Sequence, residues 1–155
     1  MPIVVNNVLG QIRVAAASGG DRAARAKRLA EMVQKLGNYR WVGIYDVGEE
    51  NVSIIAWSGP GAPEHPSFPV SEGLTGAAIR EKRTVIVGNV QNDPRYLTAF
   101  GSTLSEIIVP VLAPVGGRVI GTVDVESERI NAFSASDQQM LEQCAQAALP
   151  LWLLR

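Results

Sequence analysis

The chain has 155 residues, of which 46% are hydrophobic and 19% charged, with a formal net charge of -1. That length sets one domain with a real core, and the balance excludes a disordered chain, which would be poor in apolar residues and rich in charge. Fourteen Lys and Arg against 15 Asp and Glu argue against a protein built to neutralise nucleic-acid phosphates, so no nucleic-acid partner is expected.

In chain order, Val5, Val8, Leu9, Ile12, Ala15 and Ala16 recur at helical spacing until Ser18-Gly19-Gly20, which predicts a first helix. Asp21 offers the N-cap of a second, with Leu29, Met32, Val33 and Leu36 on one face and Gly37 as its stop. The basic run Arg22, Arg25, Lys27 and Arg28 on that helix reads as a solvated face. Residues 39–47 and 52–57 are rich in β-branched and aromatic side chains around the turn Gly48-Glu49-Glu50-Asn51, the pattern of a hairpin. Residues 59–69, full of proline and glycine, form an irregular loop. A helix at 74–81 and a strand at 84–87 follow. Asn92-Asp93-Pro94 marks a turn, and 95–103 a loop or short helical turn. Strands at 107–113 and 118–126 flank a turn at 114–117. Ser134 with Asp137 three residues on resembles a capping box for the last helix, which Pro150 kinks or stops before the apolar Leu151, Trp152, Leu153 and Leu154. The chain is thus one domain over 1–155: helices in 1–37, sheet and pocket in 38–130, and a C-terminal helix in 134–155. Helices flanking hairpin-connected strands make it α+β with a mainly antiparallel sheet.

No window approaches the roughly 18 uninterrupted apolar residues of a membrane helix. Residues 1–7 carry neither a positively charged start nor a cleavage pattern, so the expected address is the cytoplasm, with no membrane partner. The single cysteine, Cys144, and single histidine, His65, exclude an intramolecular disulfide, a Cys/His zinc cluster and two-thiol redox chemistry within one chain. No cofactor or metal is expected, since His65 has no identifiable second ligand nearby. Cys144, amid Ala145, Ala147 and Ala148, reads as a small buried hydrophobe.

Strand 118–126 alternates: Val119, Gly121, Val123 and Val125 share one face, and Ile120, Thr122, Asp124 and Glu126 the other. If residues 114–117 close a hairpin, Glu106 lies toward the same end as Asp124 and Glu126. Two readings are open for this trio. The carboxylates converge on a pocket and favour a cationic guest, a metal or shared protons, or they are solvated residues at fraying strand ends. Pattern alone favours the second slightly. Trp41 and Tyr45, four apart on a strand, point to the same side, as pocket wall or as ordinary core, and pattern alone favours core. Gly73-Leu74-Thr75-Gly76 opens a helix and could offer backbone N–H groups to an anion, but it lacks the flanks of a phosphate loop and reads as turn geometry.

Across residues 21–148 the chain resembles a GAF domain. The resemblance rests on Gly73-Leu74-Thr75-Gly76, Asn92-Asp93-Pro94-Arg95-Tyr96, residues 107–111 and Gly117-Arg118-Val119-Ile120-Gly121. It implies a central antiparallel sheet, helices behind it, a small-molecule pocket in front and dimerisation through terminal helices. Within that superfamily three segments resemble the free methionine-R-sulfoxide reductases. They are Tyr39-Arg40-Trp41-Val42-Gly43-Ile44-Tyr45, Ser105-Glu106-Ile107-Ile108-Val109-Pro110-Val111, and Val119-Ile120-Gly121-Thr122-Val123-Asp124-Val125-Glu126-Ser127. By that resemblance Glu106, Asp124 and Glu126 hold the ligand, Trp41 and Tyr45 wall the pocket, and Glu126 stands where a shorter aspartate is usual.

The family's three cysteine positions fall on His65, Thr75 and Ala99. Sulfoxide reduction needs a thiolate to attack sulfur and a second thiol to release the product. The resemblance therefore implies the pocket without the chemistry: a non-catalytic, sensory binding module for an amino-acid-like or cationic metabolite. It is expected to be a homodimer signalling to a separate output protein. The alternatives are a reductase of altered mechanism, using Cys144 or a partner's thiol, and a ligand-free dimerisation module.

Overall fold

The computed structural model describes residues 2–98 and 100–154. Asp21 caps the second helix by accepting from the Ala24 amide at 2.7 Å, and Asn38 ends it in the left-handed region at φ 53°. Gly37 is therefore the last helical residue and not the left-handed stop. It is glycine because a Cβ there would lie 2.1 Å from the Tyr39 ring. The two N-terminal helices are α1 (Pro2–Ala17) and α2 (Arg22–Gly37).

Beyond them run β1 (Trp41–Val47), β2 (Asn51–Ser58), β3 (Ser67–Pro69), α3 (Gly73–Glu81), β4 (Val85–Val87), a 3-10 turn (Val90–Asn92), β5 (Ser105–Leu112) and β6 (Val119–Ser127). The chain then closes with α4 (Ala135–Ala147) and α5 (Pro150–Leu153). The expected capping box is present: Ser134 Oγ accepts from the Asp137 amide while the Asp137 carboxylate accepts from the Ser134 amide. Pro150 opens α5 and separates it from α4.

The strands form one six-stranded antiparallel sheet in the order β3-β2-β1-β6-β5-β4. β3 lies inside the stretch expected to be pure loop. Only three residues long and ending in Pro69, it carries too little pattern of its own and exists because Phe68 pairs with Val52 on β2. On the back face, Val42, Ile44, Ile107, Val109, Val123 and Val125 meet Ile12, Leu29, Val33, Leu141, Leu151 and Trp152 from the helices. Among the described residues no helix is long and apolar enough to cross a membrane.

Three further sequence readings need correction. The alternation of residues 118–126 breaks at a bulge, where Val111 pairs with Gly121 but Leu112 with Val119. The extra residue, Ile120, turns into the back core, and Val119 joins Trp41 and Tyr45 in front. The basic run is not a uniformly solvated face. Arg25 is buried and gives Nη1 to Ala16 O (2.7 Å) and Nη2 to Leu154 O (2.9 Å), while Arg22 grips Asp46 and donates to Leu151 O. These bonds satisfy carbonyls at the ends of α1 and α5 that no helix turn can reach. The apolar tail splits, with Leu151 and Trp152 buried and Leu153 and Leu154 half-exposed.

Trp152 fits flat against Gly121, where a Cβ would fall 2.1 Å from its Nε1, and that nitrogen donates to Tyr45 O at 3.1 Å. Gly121→Ala therefore displaces the indole and breaks the bond. A loss of about 1–3 kcal/mol is expected, seen as a lower urea midpoint with an unchanged slope.

Candidate functional site

The pocket is written in the register of three neighbouring strands. Trp41 on β1 pairs with Glu126 on β6, which pairs with Glu106 on β5. One step along, Gly43 pairs with Asp124 and Asp124 with Ile108, and the next step sets Tyr45 against Thr122. Because side chains alternate along a strand, all of these stand on the front face. Trp41, Tyr45, Glu106, Asp124 and Glu126 are thus brought together. The three carboxylates are buried, with one oxygen from each lying within 4.8 Å of the others, so the trio is not a set of solvated strand ends.

Gly43 makes this assembly possible. A Cβ there would lie 2.4 Å from the Trp41 ring and 2.8 Å from Tyr45, so the two aromatics close over a bare backbone beside Asp124. Trp41 is fixed by donating Nε1 to Gly61 O (3.0 Å) and by the Phe100 ring, 5.3 Å away and edge-on. Tyr45 packs edge-on against Phe68 at 6.0 Å.

Residues 96 and 103 were not singled out as site residues from sequence. Glu126 Oε1 accepts from Thr103 Oγ1 at 2.8 Å and, more weakly, from the Tyr96 hydroxyl at 3.4 Å. The turn before Tyr96 is held by Asp93, which accepts from the Arg95 amide (2.9 Å) and pairs with its guanidinium. The Asn-Asp-Pro-Arg-Tyr segment was the available signal, but it marks a turn, and only the folded loop reveals that its tyrosine faces Glu126.

Burial governs the electrostatics. It raises the Glu106 carboxyl well above the ordinary range, reinforced by Asp124 and Glu126. Burial also lifts Asp124 to about 6, opposed by its hydrogen bond with Glu106. Glu126 rises to about 8 through burial and the Asp124 charge, opposed by Thr103 and Tyr96. A bond between two carboxyls needs one proton, and Glu106 keeps it. All three carboxyls are thus held above their ordinary range, which disfavours ionising the trio together. Two oxygens, Asp124 Oδ1 and Glu126 Oε2, are buried with no hydrogen-bond partner.

Two recesses adjoin the trio. One, of about 190 Å³, is lined by Arg40, Trp41, Phe100, Thr103 and Glu126. The other, of about 30 Å³, lies among Tyr45, His65, Thr75, Glu106 and Asp124. Larger depressions of about 780 and 830 Å³ run along the β4–α4 edge and between α2 and the start of α4; none of the trio lines either, and the second shares Arg40, Pro60 and Ser127 with the 190 Å³ recess.

Of the positions where the reductase family has cysteines, His65 and Thr75 border the smaller recess, and Ala99 lies outside the described residues. Gly73-Leu74-Thr75-Gly76 does open a helix, with Gly73 at φ 72°. Gly76 sits so close to the Ser71 backbone that a Cβ would meet it at 2.7 Å, which accounts for that glycine by packing. Cys144 lies in the back core, behind the sheet, and burial pushes its thiol up to about 12.

Residues 21–149 match the GAF domain family. GAF domain-containing protein A of Dictyostelium discoideum is 29% identical over 138 residues, which is 88% of this chain and 85% of the relative. The structure of free methionine-R-sulfoxide reductase from Neisseria meningitidis, solved with its substrate, superposes with a TM-score of 0.83 at 28% identity, covering 96% of this chain and 88% of that one. The type II enzyme of Thermoplasma acidophilum gives 0.75 at 32% identity, over 84% of this chain and 94% of that one. With its antiparallel sheet, helical back and front pocket, the chain belongs to the GAF domain family.

Proposed function

We propose that this protein is a non-catalytic small-molecule-binding module whose front pocket takes an amino-acid-like or other cationic metabolite. The observation that carries the reading is the pair of buried, unpartnered oxygens, Glu126 Oε2 beside the recess walled by Trp41 and Phe100, and Asp124 Oδ1 beside the smaller one lined by Tyr45 and Phe68. A buried polar atom without a partner is costly, and an ammonium group brings three donors and a charge that favours ionising Asp124 and drawing the proton off Glu126. Trp41 and Phe100 suit the apolar body of such a guest and add attraction for its cation.

A thiol-based reductase is less well supported. His65 and Thr75 supply no sulfur, and a Cys144 thiol protonated up to about 12 and behind the sheet cannot reach the guest. The proposed module signals as a homodimer to a separate output protein in the cytoplasm. The dimer is supported by Val14, Leu153 and Leu154, apolar side chains exposed by 69%, 51% and 53% on the packed terminal helices α1 and α5 and their end.

Binding is tested by calorimetry against free amino acids, both methionine sulfoxide epimers and polyamines. Glu106→Gln with Asp124→Asn is expected to abolish binding of whichever ligand the wild type selects, and retained affinity refutes the site. Because the guest needs an ionised carboxylate and Asp124 supplies it at about 6, affinity falls about tenfold per unit as pH drops below that value.

The free protein shows the opposite linkage. Glu126 holds its proton to about 8 when folded, so its contribution to stability is complete below the ordinary glutamate value and is lost as pH rises toward 8. Glu126→Gln is therefore expected to gain melting temperature relative to wild type between about pH 5 and 8. A difference that stays flat with pH overturns the assignment. Light scattering at high micromolar concentration is expected to give a dimer mass, and a monomer removes that part of the proposal.

A further inference from the structure

Both recesses beside the trio are bordered by one loop, residues 59–66, which joins β2 to β3. Pro60 and Gly61 line the 190 Å³ recess, and His65 lines the 30 Å³ one. The loop leaves β2 at Gly59, whose φ of 151° suits glycine and where a Cβ would lie 2.6 Å from Trp41 Cδ1 and 2.9 Å from Arg40 O. Two residues on, the space that a Gly61 Cβ would take is open, with no atom within 4 Å. Gly61 is held instead by the Trp41 indole, which donates Nε1 to its carbonyl at 3.0 Å. At the far end of the loop Pro66 O accepts from the Ile54 amide at 2.8 Å.

Trp41 stands opposite Glu126 in the β1–β6 pairing, and Glu126 opposite Glu106 in the next, so the indole that holds the loop shares one row of the sheet with the carboxyls. Beneath the loop the trio is shut off from solvent, with Glu106, Asp124 and Glu126 exposed by 5%, 5% and 2%. Carboxyls in such a place resist ionising, through burial and through one another. Glu126 shows which effect wins: it keeps its proton to about 8 although Thr103 and Tyr96 both favour its charged form. Lifting the loop lets water into both recesses, and hydrated carboxyls return toward their ordinary range. Linkage then favours the closed form at low pH and weakens it as pH rises. The Tyr45 phenol, held well above its ordinary value by burial and the three carboxylates, stays protonated throughout. Tyr96 donates to Glu126, His65 sits on the loop itself, and Arg40, which lines the larger recess, pairs with Glu128. The α3 residues that border the smaller recess, Gly73, Leu74 and Thr75, bring no ionisable group.

We propose that residues 59–66 form a proton-controlled lid over the front pocket, latched by the Trp41 indole on Gly61 and released as the buried carboxyls beneath it lose their protons. One movement admits both the guest and the water that solvates the ionised trio. This inference goes beyond the reading of the pocket as a binding site and does not rest on it, because its input is the proton itself.

The test is proton exchange of two indole N–H groups, followed by NMR on the protein without added ligand between about pH 6 and 8. Trp41 Nε1 reports the latch, while Trp152 Nε1, bonded to Tyr45 O at 3.1 Å behind the sheet, reports global unfolding through the same chemistry. Each rate is divided by that of free indole at the same pH to give an opening constant. The constant at Trp41 is expected to exceed that at Trp152 by about tenfold or more and to rise at least about tenfold per pH unit, one power of ten for each proton released. Glu126→Gln is expected to remove about one power of ten per unit from that rise, and Glu106→Gln with Glu126→Gln to flatten it, whereas His65→Gln leaves it unchanged. Equal opening constants at the two indoles, no rise with pH, a rise that persists in the double variant, or one that disappears in His65→Gln overturns the proposal. Any of these leaves the binding reading standing, since no ligand enters the experiment, and a failure to bind any guest leaves the lid standing in turn.

Discussion

The structure depends on the pairing register of β1, β6 and β5, because that register alone places Trp41, Glu126 and Glu106 in one row across the front of the sheet. Two glutamates directly opposite each other repel when both are ionised. Here burial resolves the conflict by keeping the Glu106 proton on and lifting Glu126 to about 8. A slip of one residue in β6 would send Asp124 and Glu126 into the helical core and bring Val123 and Val125 forward. The packing of Trp152 on Gly121 and the bulge beside Val111 hold β6 in its place.

The same strand joins the pocket to the ends of the chain. The Tyr45 ring helps to wall the front recess, while its carbonyl accepts from Trp152 behind the sheet. Its neighbour Asp46 grips Arg22, whose Nε donates to Leu151 O, and Arg25 ties Ala16 to Leu154. A shift of Tyr45 therefore moves against a fixed set of bonds reaching α2 and α5. This is a physical link between the pocket and the terminal helices that carry the exposed apolar side chains.

Much of this was legible in the sequence because it is local. Period-two alternation placed Asp124 with Glu126, the Ser134–Asp137 spacing announced the capping box, and Asp21 announced the start of α2. What was not legible is set by distant partners. Arg25 looks like one more charge on a solvated helix until the carbonyls of Ala16 and Leu154 arrive beside it. Nothing local marks Ile120 as a bulge residue, because the extra residue is defined only by its pairing with β5. Gly43 reads as a weak point in a strand, and its purpose appears only when the Trp41 and Tyr45 rings occupy the space above it. The burial of the acidic trio belongs to the same class. Alternation assigns a face but not what covers that face, and the cover here comes from loops far away in the sequence.

That burial bears on why the trio exists without the thiols. A front face built only for packing would gain from apolar side chains in place of three buried carboxyls, since burying ionisable groups costs more than it returns unless each is paired. Thr103 and Tyr96 supply donors to one oxygen of Glu126, and the Glu106 proton serves Asp124, yet Asp124 Oδ1 and Glu126 Oε2 remain unpartnered. The deficit is local, lies beside two recesses with aromatic walls, and amounts to hydrogen-bond donors and positive charge. An ammonium-bearing guest supplies both, and no sulfur chemistry is needed for it to do so.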